Sequence, residues 1–248
     1  MSVKIIDPMS SNEFFKGQHG IFFNPGDIHI WSVSLDASQS ITERCLEALS
    51  PLEKERVAFF KFEKVQNNYL ISQGFLRLLL SFYLKISPEK IKIGRHTKGK
   101  PFSEDNTNLR FNMSNSGRKV VYAFSMDEEV GIDLEYLRDL DDLNELISKN
   151  FTSKEIDYIN KIETEKKQRF FKFWTIKEAY LKAIGEGMRL PPDKLEFTVE
   201  NGKFKLQSVC GISEQDDWVF EDFSIAKDYV GTLVLKNPKA NLILRAIY

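Results

Sequence analysis

Read from its amino terminus, the chain alternates between two hydrophobic rhythms. Short stretches with apolar residues at every second position predict strands at Ile28–Leu35, Ile91–Arg95, Leu109–Met113, Lys119–Ser125 and Val130–Tyr136. Longer stretches with apolar residues three and four apart predict helices over Leu52–Phe62, Val65–Ile86, Leu140–Ser148, Thr152–Ile159 and Glu163–Ile184. Further strands are expected near Leu195–Val199, Lys203–Ser208, Trp218–Ser224, Tyr229–Leu235 and Leu242–Ala246. Punctuation agrees with this reading. Ser50-Pro51 opens a helix where the missing proline N–H costs nothing, Thr152-x-x-Glu155 is a capping-box pattern, and Gly185 stops the last long helix. Residues 1–26, broken by Pro8, Gly17, Gly20, Pro25 and Gly26, read as irregular.

The order strand, helices, long helix, several strands thus occurs twice. No residue-level repeat accompanies it, so the duplication rests on element order alone. An α+β protein of two halves is expected, with residues 1–126 forming one and 127–248 the other. No Pro/Gly/Ser-rich linker separates them near Ser125–Glu129, so they are expected to pack tightly.

Charge and composition remove several functional classes. Thirty-five Lys and Arg against 36 Asp and Glu give a formal charge of −1, and no basic run interleaves with aromatics, so no nucleic-acid partner is expected. Cys45 and Cys210 stand alone, without a C-x-x-C or a histidine cluster, which argues against structural zinc. The amino terminus shows no apolar signal core, and the longest apolar run, Phe75–Leu84, is short and carries Arg77. A soluble, cytoplasmic protein with no membrane contact is expected.

Two segments carry the chemistry. In Gly131-Ile132-Asp133-Leu134-Glu135, strand alternation turns Asp133 and Glu135 to one face, roughly 6–7 Å apart. In Trp174-Thr175-Ile176-Lys177-Glu178-Ala179-Tyr180-Leu181-Lys182, Glu178 and Lys182 are neighbours on one helix face. Either alone is most often a solvated face. Together, three carboxylates beside two lysines suit a hard divalent cation and a phosphorylated ligand, since Mg²⁺ takes one or two carboxylates plus phosphate oxygens. Aromatic residues crowd the same helix at Phe170, Phe171, Phe173 and Trp174, and charges at the margin of such a core need partners.

With a third block, Lys98-Gly99-Lys100-Pro101 and then Leu109-Arg110-Phe111-Asn112-Met113-Ser114-Asn115-Ser116-Gly117, the chain resembles the phosphopantetheinyl transferases of the surfactin-synthetase type across roughly residues 50–190. The resemblance implies two α+β halves related by a pseudo-twofold axis, with the active site between them. It implies coenzyme A as donor, Mg²⁺ as cofactor and a serine of an acyl or peptidyl carrier protein as acceptor. Asp133, Glu135 and Glu178 match the metal carboxylates. Glu178 is also the candidate base, and Lys182 the lysine that stabilises phosphate charge. Lys100 and Pro101 match the stretch lining adenine and ribose. Ser114 and the amides of the 114–117 turn are candidates for holding phosphate oxygens, a turn that otherwise reads as a plain hairpin. Lys177 either binds the pyrophosphate or snorkels.

The chain departs from that pattern where the family commonly has histidine and arginine for the 3′-phosphate, here Asn115 and Asn68. Arg56, Lys54, Lys64 and His96 are the candidate replacements, although each reads more simply as a solvated charge or a loop histidine. Leu140, Leu143, Leu146 and Ile147, among acidic residues, form a candidate carrier-docking segment or an ordinary amphipathic packing face. Because one chain supplies both halves, a monomer is expected. The competing readings are a coenzyme A- or carrier-binding paralogue without turnover, and another Mg²⁺ phosphotransferase. No P-loop or kinase glycine loop supports a nucleoside triphosphate donor.

Overall fold

The computed structural model describes residues 3–5, 10, 13–14, 23–213 and 217–247. Strands β1 (Val3–Ile5) and β2 (Asp27–Ser34) precede helices α1 (Gln39–Ala48), α2 (Pro51–Phe59) and α3 (Glu63–Leu84). Strands β3 (Ile93–Arg95), β4 (Pro101–Ser103), β5 (Leu109–Ser116) and β6 (Lys119–Met126) complete the first half. The second opens on β7 (Val130–Tyr136), continues through α4 (Leu143–Asn150), α5 (Ser153–Asn160) and α6 (Lys166–Ile184), and reaches β8 (Leu195–Glu200) and β9 (Lys203–Val209). The short β10 (Ile212–Ser213) leads to β11 (Val219–Phe223), β12 (Tyr229–Leu235) and β13 (Asn241–Ile247). The mixed α+β class is as expected. Helix α1, with Ile41, Cys45 and Ala48 one helical turn apart, was not expected. Most of the segment read as irregular lies outside the described residues, but β1 falls within it.

Sheet topology repeats. In the first half, β6 pairs antiparallel with both β2 and β5. In the second, β12 pairs antiparallel with both β7 and β11. Each unit therefore places its first strand beside its last, with the preceding strand outside. One element breaks the division of the chain at residue 126. Strand β13 leaves the second half and pairs parallel with β2, so the final strand completes the first sheet, in the order β1-β13-β2-β6-β5.

The strand rhythm sorts side chains between cores. Trp31 and Val33 of β2, with Tyr122 and Phe124 of β6, face α3 through Ile71, Phe75 and Leu79. The alternate residues Ile28, Ile30, Val121 and Ala123 turn the other way. There they meet Val130, Ile132 and Leu134 of β7, Leu233 and Leu235 of β12, and Leu242 and Leu244 of β13. This central cluster joins the halves, and each fully buried aliphatic side chain contributes about 1.5–3 kcal/mol. A third cluster gathers the aromatic face of α6 with Phe151, Ile159, Leu195 and Phe197. Leu140, Leu143 and Leu146 are partly buried against it and Ile147 is buried, so this segment packs largely on its own core.

Candidate active site

Because Val130, Ile132 and Leu134 point into the central core, Gly131, Asp133 and Glu135 must face α6. The fit is close. A Cβ at Gly131 would lie 2.0 Å from the Ala179 carbonyl and 2.6 Å from the Ala183 nitrogen, so only glycine lets this strand touch this helix. The contact carries Glu178 and Lys182, each the residue just before one of those two alanines, to the carboxylates of β7. The first half supplies the other wall. Its edge strand β5 runs beside the edge strand β7 with no strand pairing between them among the described residues, and side chains bridge the gap.

Asp133 is buried, at 4 % exposure. Its Oδ1 accepts hydrogen bonds from Lys182 Nζ at 2.7 Å and from Ser114 Oγ at 2.7 Å, and Lys182 Nζ also donates to Ser114 Oγ at 3.0 Å. Its Oδ2 is buried without a hydrogen-bond partner, an expensive arrangement for an ionised oxygen. Glu135 Oε2 accepts from Ser116 Oγ at 2.7 Å and from Arg138 Nη1 at 3.0 Å. Burial raises the Glu178 carboxyl above its ordinary pKa. The nearby Asp133 charge and, more weakly, Glu135 add to this, while Lys182 offsets part of it. Glu178 thus lies within electrostatic reach of both strand carboxylates. Among the described residues no three His, Cys, Asp or Glu side chains are gathered closely enough to hold a metal ion as they stand. Lys182 supplies positive charge to Asp133 instead. The orphaned Asp133 oxygen and the mutual repulsion of three carboxylates fit a divalent cation, whose charge would satisfy both.

Beside Lys182 lies a cavity of about 360 Å³, lined by Lys98, Gly99, Lys100, Pro101, Asn112, Met113, Leu181 and Gly185 among others. Gly185, in the left-handed region at φ 73°, ends α6 and lets the chain turn along its wall. Lys100 and Pro101 therefore stand next to Lys182. The Lys100 ammonium, however, already donates to Glu129 Oε2 at 2.6 Å and to the Ala183 carbonyl at 2.7 Å, tying the first half to the carboxyl end of α6. Asn115 is exposed and shares the strand face of Met113, which lines the cavity. Arg56 is exposed on α2, with its guanidinium 5.2 Å from the Tyr69 ring centre. His96 stacks on Phe102 and lines a neighbouring cavity of about 330 Å³ with Trp218 and Lys236.

Two expectations are corrected. Lys177 does not face the carboxylates. Its ammonium is buried against Glu155 Oε2 at 2.6 Å and donates to the carbonyls of Asn150, Pro192 and Leu195, so it is unavailable to a pyrophosphate. Residues 114–116 belong to strand β5, and the turn is reduced to Gly117-Arg118, with Gly117 at φ 58°. No amide nest forms at Ser114, whose hydroxyl is already engaged by Asp133 and Lys182. Sequence reasoning also missed Asn112, Ser116 and Arg138 as neighbours of the carboxylate strand. The signal for the first two was present, as Asn112, Ser114 and Ser116 recur with the strand period of two.

Comparison with known proteins agrees with this geometry. A sequence model of the 4′-phosphopantetheinyl transferase superfamily matches residues 129–234, and one of the 4′-phosphopantetheinyl transferase N-terminal region matches residues 34–127. The chain is 35 % identical over 166 residues to the 4′-phosphopantetheinyl transferase HetI of Nostoc sp., covering 65 % of this chain and 70 % of that protein. It is 27 % identical over 212 residues to the L-aminoadipate-semialdehyde dehydrogenase-phosphopantetheinyl transferase of Rattus norvegicus, covering 78 % and 69 %. It is 27 % identical over 183 residues to the 4′-phosphopantetheinyl transferase ffp of Bacillus subtilis, covering 72 % and 80 %. With both halves matched in sequence and its carboxylates gathered where those halves meet, the chain belongs to the 4′-phosphopantetheinyl transferase superfamily.

Proposed function

We propose that this protein moves the 4′-phosphopantetheine group from coenzyme A to a serine hydroxyl of an acyl or peptidyl carrier protein, in the manner of the surfactin-synthetase-type enzymes. The observation that carries the reading is the meeting of Asp133, Glu135, Glu178 and Lys182 beside a cavity lined by Lys100 and Pro101. The donor's adenosine end occupies that cavity, with its pyrophosphate reaching Lys182. Asp133, through its free Oδ2, together with Glu135 and Glu178, would hold Mg²⁺. A bound Mg²⁺ supplies charge neutralisation to the phosphate oxygens.

The serine oxygen forms a bond to the β-phosphorus, and the bond from that phosphorus to the bridging oxygen breaks. Adenosine 3′,5′-bisphosphate leaves with the electron pair. Glu178 receives the serine proton, a role suited to a carboxyl whose burial and neighbours raise its basicity. Lys182 exchanges its hydrogen bond to Asp133 for the developing charge on the leaving phosphate. The reading carries a cytoplasmic monomer with no nucleic-acid or membrane partner. No described helix is long and apolar enough to cross a membrane.

Mass spectrometry tests the proposal. An apo carrier protein incubated with coenzyme A, Mg²⁺ and this protein gains one phosphopantetheine mass. Absence of any gain across acyl, peptidyl and aryl carriers would instead identify a binding paralogue without turnover.

A further inference from the structure

The facing edges of β5 and β7 meet in a way that neither sheet explains. An open strand edge presents unpaired N–H groups that require partners when buried. Here the partners are side chains of the first half. Ile132 N donates to Asn112 Oδ1 at 3.1 Å, and Tyr136 N donates to Ser116 Oγ at 3.0 Å. The same row of β5 residues also reaches the carboxylates between those two amides. Ser114 Oγ donates to Asp133 Oδ1, and Ser116 Oγ donates to Glu135 Oε2, both at 2.7 Å.

The two serines are used differently. Ser114 touches Lys182 and lies inside the reacting cluster. Ser116 is one step further out. Its hydroxyl has an assigned donor in Tyr136 N, which leaves its proton directed at Glu135 Oε2. Arg138 takes the same oxygen, so Oε2 is fully engaged and Oε1 makes no hydrogen bond among the described residues. Asp133 shows the same division, with Oδ1 engaged and Oδ2 free. One oxygen of each carboxylate is fixed to the seam, and the other is left for a ligand.

We infer that Ser116 is a positioning residue, which clamps Glu135 from across the seam so that its second oxygen joins Asp133 and Glu178 in binding a divalent cation. The inference rests on the metal reading above and adds to it a dependence on the first half. The carboxylate strand belongs to the second half, yet its side chains are oriented by hydroxyls of the first. Correct docking of the two halves is therefore a condition for cation affinity, and not only for donor binding.

Mn²⁺ titration followed by electron paramagnetic resonance, on the full chain without coenzyme A, tests this directly. Loss of such an orienting partner weakens metal affinity by about 10–100-fold. Ser116→Ala is expected to fall in that range while Ser116→Thr, which keeps the hydroxyl, stays within about threefold of wild type. Arg138→Gln, on the exposed side of the same oxygen, is expected to fall between them. Thermal melting of the metal-free variants separates orientation from folding. If Ser116→Ala melts well below wild type, the comparison of Ser116→Thr with Arg138→Gln decides, and equal affinity in those two overturns the inference. A folded Ser116→Ala with wild-type Mn²⁺ affinity overturns it as well. If wild-type protein itself binds no Mn²⁺, both the inference and the metal reading fall. Wild-type binding with no effect of Ser116 removes the inference alone.

Discussion

The two long helices, α3 in the first half and α6 in the second, are anchored by the same device and then used for opposite purposes. Before each helix stands a capping box, Ser50-x-x-Glu53 and Thr152-x-x-Glu155. In each, the glutamate pairs with a buried cation of the long helix, Arg77 with Glu53 and Lys177 with Glu155. Each cation also donates to two carbonyls after its own helix, Pro88 and Ile91 for Arg77, Pro192 and Leu195 for Lys177. Those carbonyls belong to Pro-Glu-Lys-Ile and Pro-Asp-Lys-Leu, two short turns of one pattern. A residue-level repeat exists after all, and it is structural. The halves differ on the strand that the helix covers. Beneath α3 the strand presents Trp31 and Val33, while beneath α6 it presents Gly131, Asp133 and Glu135. One frame built twice holds an apolar core in one copy and a cluster of charge in the other.

The largest effect that sharpens this contrast falls on turnover. Glu178→Gln is expected to lower transfer by about 10²–10⁴-fold, the usual worth of a positioned proton acceptor. The same variant is expected to melt higher than wild type at pH 7 without metal. The sign follows from the raised pKa. The folded state holds the Glu178 proton more tightly than the unfolded chain, so ionisation above the ordinary value of 4.5 works against the fold. The gain should vanish below that pH. Carrier-mass spectrometry and thermal melts check the two halves of the prediction, and near-wild-type turnover would remove Glu178 as base.

Breaking the shared anchor comes next. Lys177→Met leaves Glu155 buried and unpaired, at 0 % side-chain exposure, and is expected to cost about 3–5 kcal/mol in denaturant unfolding. Arg77→Met is expected to cost less, because the Glu53 side chain is 17 % exposed and can be partly hydrated. Lys177→Arg, borrowing the cation of the first half, should retain most of the stability. Equal losses for the two Met variants would show that the anchors are not graded by burial.

How much of this was legible in the sequence depended on whether a signal was local. Alternation through Val130–Tyr136 placed Asp133 and Glu135 on one face, and helical spacing placed Glu178 beside Lys182. Neither rule can tell which of two adjacent charges, Lys177 or Glu178, turns inward. That is settled by Glu155, 22 residues away in sequence. The Ser114–Gly117 segment read as a turn because its residues are turn formers, yet Ser114 and Ser116 are useful as strand residues because β7 offers them amides and carboxylates. The return of β13 to the first sheet is a tertiary pairing of residues more than 200 positions apart, and no window of sequence carries it. The repeat was invisible because its matching residues are scattered around unmatched cores.

Acid is expected to separate the halves again, at slightly smaller cost. His29 of β2 is fully buried, accepts or donates a hydrogen bond with the Tyr83 hydroxyl at 2.8 Å, and stacks on Phe23. Burial first, and the Arg245 charge second, pull its pKa from 6.5 to about 4, against a weaker opposing pull from Asp27. The unfolded chain therefore takes up a proton that the folded chain refuses. Stability contributed by this site is complete above pH 6.5 and is lost as pH falls toward 4, about 3 kcal/mol in all. His29→Phe should flatten that limb of the stability profile measured by denaturant titration, whereas Glu178→Gln alters it with the opposite sign. An unchanged limb in His29→Phe would place the acid sensitivity elsewhere.

The smallest expected effect concerns the face of β5 turned away from the carboxylates. Asn115 is exposed and lies two residues beyond Met113, a lining residue of the cavity proposed to take the donor, so its amide offers a 3′-phosphate placed there a hydrogen bond but no charge. Arg56, one of the candidate replacements, is exposed over Tyr69 on a different element. The preference for coenzyme A over dephospho-coenzyme A is therefore expected to be smaller here than in a relative with histidine and arginine at the positions of Asn115 and Asn68. Introducing charge by Asn115→His should raise the preference, and solvent screening at this exposed position limits the gain to about 1 kcal/mol, or roughly fivefold. The gain should appear below about pH 6.5, where an unperturbed imidazole is protonated, and fade above it. Competition kinetics with the two donors at fixed carrier measures it. A pH-independent gain would mean that imidazole acts by packing against the adenosine rather than by charge. A wild-type preference already as large as in the histidine-bearing relative would transfer the phosphate to another cation, with Arg56→Gln as the variant to identify it.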